Sequence, residues 1–452
     1  MAVDVTYRVQ IPHKPGQLAA VTTVISDQGG LIGDLVTVQL GRDASIRDMT
    51  VEVRDAGHAW ELATALNALP GVRVHWHHDR AFIRHDGGKL VIGARQPVTS
   101  VQEMRDIYTP GVARICTAIA ENPVLASRYT MIGRTVAIVT NGTRVLGLGD
   151  IGPVASMPVM EGKAVFYDQC VGLSAMPIVL DAPDTDTFVD AVLRIAPTFG
   201  AIHLEDISAP ACFEIERRLI DALPQPVMHD DVHGTAVVTL AAAIAACRQV
   251  DRRLDESVVG QLGLGAAGFG IAALIKGGGA RRVLAFDPDE RSHDRAREQG
   301  IEIGSMEDVM SQSDVVVATT GRPGLITRDM VHDGQVILAL TNPMPEIWPD
   351  DALGAGAAYA ADGTAVNNVL GYPGIFLGAM MAGADRITTE MKLAAAWALA
   401  GLTLESELVP DPLDRAVHAA VAEAVCASAV DAGLGNPDRV PPSLQPGREP
   451  SR

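Results

Sequence analysis

The chain has 452 residues, a formal net charge of −19 and five cysteines, with 48% hydrophobic but only 4% aromatic content. That length sets an expectation of about two to four domains with sizeable cores. The acidic balance excludes a nucleic-acid or anionic-membrane surface, each of which needs a basic face, whereas a small acidic substrate needs only one basic pocket.

An odd number of scattered cysteines without a C-x-x-C pair points to free thiols in a reducing compartment. The N-terminus enters an alternating strand with no basic-then-apolar leader. The longest uncharged apolar run, Thr235–Cys247, is too short to cross a bilayer and reads as a buried helix, so a cytoplasmic protein without membrane partners is expected.

Val3–Ile11 alternates apolar and polar residues and reads as a strand with one buried face. Pro12–Gly16 is a turn, Gln17–Gln28 a helix, and Leu31–Leu40 and Ser45–Val53 are two further strands. A helix at His58–Leu69 and a strand at Val72–His77 complete a β-α-β-β-α-β order over residues 1–80, that of a ferredoxin-like sandwich. With its Pro15-Gly16 turn after the first strand, this stretch resembles an ACT domain. The resemblance implies a regulatory module that pairs with a second copy and takes a small-molecule effector. ACT domains often carry an acid just before that Pro-Gly; here His13-Lys14 stands instead, so a ligand-free dimerisation module is an equal alternative. His75, His77 and His78 lack acidic or cysteine partners at a metal spacing and read as exposed edge histidines. Residues 81–93, with Gly87-Gly88, are expected to be a linker.

Residues 94–228 are expected to form an α/β substrate domain. Val98–Asp106 and Val112–Glu121 read as helices on either side of Tyr108-Thr109-Pro110-Gly111. Thr135–Thr140 and Val145–Leu148 read as a hairpin about Asn141-Gly142, with Arg144 just past the turn and a glycine run, Gly147–Gly152, after it. Lys163 precedes Ala164–Tyr167, an apolar, strand-like segment. A lysine near a metal and partly desolvated can lose its proton near neutral pH and serve as a base. Ala201–Leu204 and Pro226–Met228 are short apolar strands that end in Glu205-Asp206 and Asp230-Asp231. Carboxylate pairs at the ends of two buried strands can converge on one hard divalent cation, although most such pairs are helix caps or loop ends.

Ser257–Leu264 runs into Gly263-Leu264-Gly265-Ala266-Ala267-Gly268, a helix follows at Phe269–Ile275, and the next strand, Arg282–Phe286, ends in Asp287. Strand, glycine turn, helix, strand and terminal acid in that order mark a Rossmann-type, doubly wound dinucleotide domain over residues 229–435. Gly263 would make the turn, Gly265 admit the pyrophosphate and Gly268 pack helix on strand, with Ala266 and Ala267 at the helix N-terminus that faces the phosphates. Asp287 would accept a ribose hydroxyl bond and favours NAD over NADP, while Arg291 keeps NADP open. Val315–Thr320 and Gln335–Leu340 are further parallel strands, ending in Thr319–Arg322 and Thr341-Asn342-Pro343. Asn367-Asn368 follows Asp362-Gly363 and as loop asparagines would ordinarily be turn formers. Helices are expected at Gly371–Met381, Met391–Ala400 and Ala416–Ala432, and a disordered, Pro-rich tail over residues 436–452.

Tyr108–Ala113, Arg144 with Leu146–Asp150, Glu161–Ala164, Leu204–Pro210, His229–Thr235, Thr341–Pro343 and Asn367-Asn368 make the chain from about Ala94 to Asp431 resemble the malic enzyme family in its shorter bacterial form. The resemblance implies metal-dependent oxidative decarboxylation of L-malate to pyruvate and CO₂ with reduction of NAD. Carried over residue by residue, it implies Glu205, Asp206 and Asp231 as ligands of Mn²⁺ or Mg²⁺, Lys163 as general base assisted by Asp230, and Tyr108 as general acid. Arg144, Asn342 and Asn368 would bind substrate carboxylates or position the nicotinamide, as would Asn367. Family assembly implies a homodimer or homotetramer. A malolactic enzyme or an NADP-preferring malic enzyme is the near alternative. An amino-acid dehydrogenase would not need three carboxylate ligands, and a non-catalytic sensor would leave Lys163 and Tyr108 without a role. The front domain is a departure, since shorter members of the family generally lack it.

Overall fold

The computed structural model describes residues 2–145, 147–441 and 444. Leu146 of the glycine-run motif and most of the expected disordered tail lie outside the described residues. The chain divides into two compact units, Met1–Lys89 and Leu90–Arg452.

In the first unit, β1 (Val3–Pro12), β2 (Leu31–Leu40), β3 (Ala44–Val53) and β4 (Arg73–Asp79) form an antiparallel sheet in the order β2-β3-β1-β4. Alternation along β1 turns Val5, Tyr7, Val9 and Ile11 to one face, where the helices Gln17–Asp27 and Ala56–Asn67 cover them with Val21, Ile25, Leu62 and Leu66. This is the expected β-α-β-β-α-β sandwich, and its edge strand β2 is exposed along its whole length. The expected linker begins instead as a helix, Arg80–His85, capped by the Asp79 carboxylate and part of the first unit. His77 is aromatic packing: it stacks on Tyr7 at 5.5 Å between ring centroids and meets Trp60 edge-on at 5.2 Å.

The second unit holds two parallel sheets. β5 (Thr135–Thr140), β6 (Ser174–Val179), β7 (Ala201–Leu204) and β8 (Val227–His229) lie in the order β6-β5-β7-β8. β9 (Val258–Leu262), β10 (Arg282–Phe286), β11 (Glu302–Ile303), β12 (Val315–Ala318), β13 (Val336–Ala339) and β14 (Tyr359–Asp362) lie in the order β11-β10-β9-β12-β13-β14. That is the doubly wound Rossmann order. Apolar runs such as Val315–Ala318 are buried throughout, as strands covered on both faces must be.

The helix Asp230–Gln249 joins the two sheets. Its Ala236–Cys247 stretch belongs to one core with Val136 and Ile138 of β5 and with Val259 and Val315 of the Rossmann sheet. It outruns the expected Thr235–Cys247, and by length and composition it would cross a membrane, yet 78% of that apolar window is buried inside the protein. Small alanine side chains let neighbouring layers approach closely and still exclude water.

Two local expectations are corrected. The expected strand at Val145–Leu148 is not found among the described residues there, which make one isolated bridge, between Val145 and Gly149. β5 is paired on both sides by the parallel strands β6 and β7, which leaves no edge for a hairpin partner. Ala164–Tyr167 is not a strand either; Ala164 lies in the last turn of the helix Pro153–Phe166. Met160, Lys163, Ala164 and Tyr167 are all buried, a spacing of three, four and seven that is helical. The ordered chain also continues past residue 436, where Pro437–Arg439 forms a short helical turn and Arg439 donates to the Pro224 carbonyl at 2.7 Å.

Candidate active site

The carboxyl ends of β7 to β10 and of β12 open on one cleft of about 460 Å³. Arg144, Lys163, Glu205, Asp206 and Asp231 line one end, and Gly265–Gly268, Asp287 and Thr319 the other, with Asn368 on the wall. Ligands bind at this edge of a parallel sheet because strand ends stop there and helices begin.

β7 delivers Glu205 and Asp206, and β8 delivers Asp230 and Asp231 as the first turn of the joining helix. Oxygens of Glu205, Asp206 and Asp231 lie within 4.8 Å of one another. Asp206 adopts a left-handed backbone, φ 53°, which costs a residue with a side chain about 1–2 kcal/mol. Its N–H donates to Asp231 Oδ2 at 2.8 Å and its carbonyl accepts from the Arg144 N–H at 3.1 Å, so the peptide groups on both sides of its Cα are held.

Asp230 turns away from the triad, fully buried, and accepts from Lys163 Nζ at 2.5 Å; Glu205 Oε1 is 3.0 Å from the same ammonium. Burial pulls Lys163 down, but Asp230 and then Glu205 outweigh it and hold its proton well above the ordinary lysine range. Burial pushes Glu205 up to about 8, with Lys163 opposing and Asp231 adding to the shift. An all-oxygen donor set, with four carboxylates against one ammonium, fits a hard divalent cation such as Mn²⁺ or Mg²⁺.

Behind these groups lies a buried polar layer that sequence reasoning missed. Burial lowers His203 to about 4, so its ring is neutral. Its Nε2–H donates to Glu205 Oε2 at 2.6 Å, and Nδ1 accepts from the Tyr167 hydroxyl at 2.9 Å. Such partners fix the orientation of a ligating carboxylate. Tyr372 donates to the Lys163 carbonyl at 3.2 Å and sets its ring 4.7 Å from Nζ. Glu216 accepts from the His229 N–H at 2.7 Å and from His233 Nε2 at 3.0 Å, and Lys392 Nζ reaches His233 Nδ1 at 3.1 Å. One signal was available: a histidine inside a fully buried strand, two residues before Glu205, requires a partner.

At the nucleotide end, Gly263 has φ 90° and a Cβ there would sit 2.8 Å from the Thr319 carbonyl, whereas a Cβ on Gly265 would meet only open space. Asp287 Oδ2 accepts from the Leu264 N–H at 2.6 Å, tying the end of β10 to the glycine turn.

Three expected residues do not line the cleft. Asn342 donates to the Gly363 carbonyl at 3.2 Å, and Asn367 caps the turn Asn368–Leu370 by accepting from the Val369 N–H at 3.0 Å. Tyr108, 70% exposed, ends the helix Val101–Ile107 outside the cleft.

Residues 92–220 match the sequence profile of the malic enzyme N-terminal domain, and residues 330–430 that of the malic enzyme NAD binding domain. Between them, residues 237–333 match the NAD binding domain of D-isomer specific 2-hydroxyacid dehydrogenases. The NAD-dependent malic enzyme 1 of Bacillus subtilis is 49% identical over 422 residues, covering 93% of this chain and 96% of its own. The chain belongs to the malic enzyme family. Another family member, the NAD-dependent malic enzyme of Geobacillus stearothermophilus, is 38% identical over 97% of each chain. Both alignments are too long to leave out Met1–Lys89, so these relatives share the front unit. The crystal structure of the NAD-dependent malic enzyme of Thermotoga maritima matches with a TM-score of 0.72 and 33% identity, covering 77% of this chain and 99% of that one.

The buried layer makes a stability prediction. Burial pushes Glu216 up, but His233 and the Lys392 ammonium outweigh it and bring it from 4.5 down to about 2. A depressed carboxylate stabilises the fold above its unfolded value, and that contribution is lost as pH falls toward the folded value. Glu216→Gln is therefore expected to destabilise the fold at pH 7, by up to about 3 kcal/mol, and by less at pH 3.5, measured by urea unfolding of variant and parent. A gap that stayed constant over that range would contradict the assignment.

Proposed function

We propose that the chain is a metal-dependent, NAD-linked malic enzyme that oxidises L-malate and releases pyruvate and CO₂. The observation that carries this reading is the single cleft in which three carboxylates, Lys163 and Arg144 face the glycine turn. Arg144 makes no hydrogen bond through its guanidinium to any described residue, so its fork is available to a substrate carboxylate. Glu205, Asp206 and Asp231 would hold the divalent ion, with Asp287 and the glycine turn holding the dinucleotide. When bound, the ion polarises substrate oxygens and the nicotinamide takes up the two electrons of the oxidation. Lys163 removes the C2 hydroxyl proton. Asp230, at 2.5 Å from its Nζ, is the group in reach to exchange a proton with it.

Purified protein given L-malate, NAD and Mn²⁺ is expected to form NADH with an equal amount of pyruvate, to stop on chelation and to recover with added metal. Lys163→Ala is expected to lower kcat by about 10²–10⁴. Lactate without net NADH would replace this reading with the malolactic one.

Proton delivery to C3 falls to Tyr108, and here a second copy of the chain enters the reading. Tyr108 sits among the helices Val101–Ile107, Gly111–Glu121 and Leu125–Tyr129, none of which buries a residue. Val101, Met104, Ile107 and Ile115 are exposed with it, an apolar face of the kind that protein contacts cover. In our reading the segment packs on a second copy and carries Tyr108 to that copy's cleft, so the smallest active form is a homodimer. Co-expressed Lys163→Ala and Tyr108→Phe chains should then regain activity that neither has alone, since one cleft of each mixed dimer holds both groups. No regain in mixed dimers would place the tyrosine in its own chain's cleft.

The first unit remains, in this reading, an ACT-like regulatory module of a cytoplasmic enzyme, with its β-α-β-β-α-β order as support. Removal of Met1–Lys89 without change in rate, assembly or effector response would count against it.

A further inference from the structure

We propose that Asp289 sets the choice of dinucleotide by holding closed a site for the 2′-phosphate of NADP. The inference rests on the reading of the cleft as a dinucleotide site. Asp287, Asp289, Arg291, Ser292 and Arg295 all line it beside Gly265. Asp287 Oδ1 accepts from the Asp289 N–H at 2.8 Å, which sets the start of this loop. A ribose hydroxyl needs only Asp287, whose carboxylate has lone pairs beyond the two backbone bonds it accepts.

Two guanidiniums stand near that position in different states. Arg291 is closed on Asp289 as a two-pronged fork, Nε to Oδ1 and Nη2 to Oδ2, each at 2.8 Å. Arg295 lies over Phe213 at 3.8 Å and Phe269 at 4.8 Å. Its Nε is buried and has no hydrogen-bond partner among the described residues. A phosphate dianion is the ligand that two guanidiniums would hold; the Ser292 hydroxyl beside them is already donated to the Asp289 carbonyl at 2.8 Å. Asp289 prevents this twice over: it occupies the fork of Arg291 and adds its own charge against the phosphate. Glu290 and Asp294 share the loop, but Asp294 is engaged by Arg297 at 2.9 Å and neither lines the cleft.

The test is Asp289→Ser, because serine can still cap the turn that Asp289 caps through the Arg291 N–H. Affinities for NADPH and NADH are read from fluorescence titrations without malate or metal. NADPH binding is expected to tighten by about tenfold or more, with NADH held within about threefold. Asp289→Asn, which removes the charge at constant shape, should move the same way if the serine variant folds poorly. Adding Arg291→Ala to either variant should take away the larger part of the gain and leave only the part due to the lost Asp289 charge. Unchanged NADPH affinity in a folded variant, an equal gain for both dinucleotides, or a gain left undiminished by Arg291→Ala would overturn the proposal. Wild-type binding of NADH in the same titrations checks the cleft reading separately.

Discussion

One buried ammonium decides how the strand-end carboxylates are divided. β7 and β8 each end in two adjacent acids, and four carboxylates at such distances would repel one another and resist ionisation. Lys163 draws Glu205 and Asp230 to its own side. Asp206 and Asp231 face Glu205 from the other side, so Glu205 is the shared member of both groups. Removing one partner of a buried pair costs about 3–5 kcal/mol because the other charge is left uncompensated. Lys163 therefore shapes the carboxylate cluster itself, apart from the role in chemistry proposed for it. Tyr372, which belongs to the helix Tyr372–Ala382, holds the lysine from behind, so its position depends on the far part of the chain as well as its own helix.

The joining helix Asp230–Gln249 makes that division matter for the nucleotide. Its first turn carries Asp230 and Asp231, and its body lies in the core shared by both sheets. Gly270 of the helix behind the glycine turn leaves no room for a Cβ against the Val232 carbonyl, so the two helices meet directly at their starts. The carboxylate-bearing turn and the helix behind the glycine turn are thus in direct backbone contact. Close packing of this kind gives interiors low compressibility.

What the sequence made legible follows from range. Strand ends with acids, the glycine turn and the terminal Asp287 are local patterns, and the structure has each of them where the pattern lay. Short apolar runs were the failure: Ala164–Tyr167 is too brief to separate a strand from a buried helical turn by itself, and only the period through Met160 and Lys163 decides it. The hairpin at Asn141-Gly142 failed because turn chemistry says nothing about whether a strand edge is already taken. The buried layer was out of reach for another reason. His203 finds Tyr167 36 residues away, and Lys392 finds His233 across 159, spacings that no window along the chain contains.

A protein of net charge −19 that handles an acidic substrate and an acidic cofactor must place its few cations with care. At the proposed substrate end the Arg144 guanidinium makes no hydrogen bond to a described residue, while at the proposed ribose end Arg291 is already answered by Asp289. The same side chain therefore does opposite things in one cleft. An unpaired guanidinium gains a full charge-assisted fork from an incoming anion, whereas a paired one would have to break a fork of equal quality first. In the proposed reading, selectivity for the anion at one end and against an extra phosphate at the other would follow from that difference in prior pairing rather than from a difference in net local charge. Arg295, stacked on two rings with a buried nitrogen that has no hydrogen-bond partner among the described residues, would tie that discrimination to the packing of Phe213 and Phe269 beneath it.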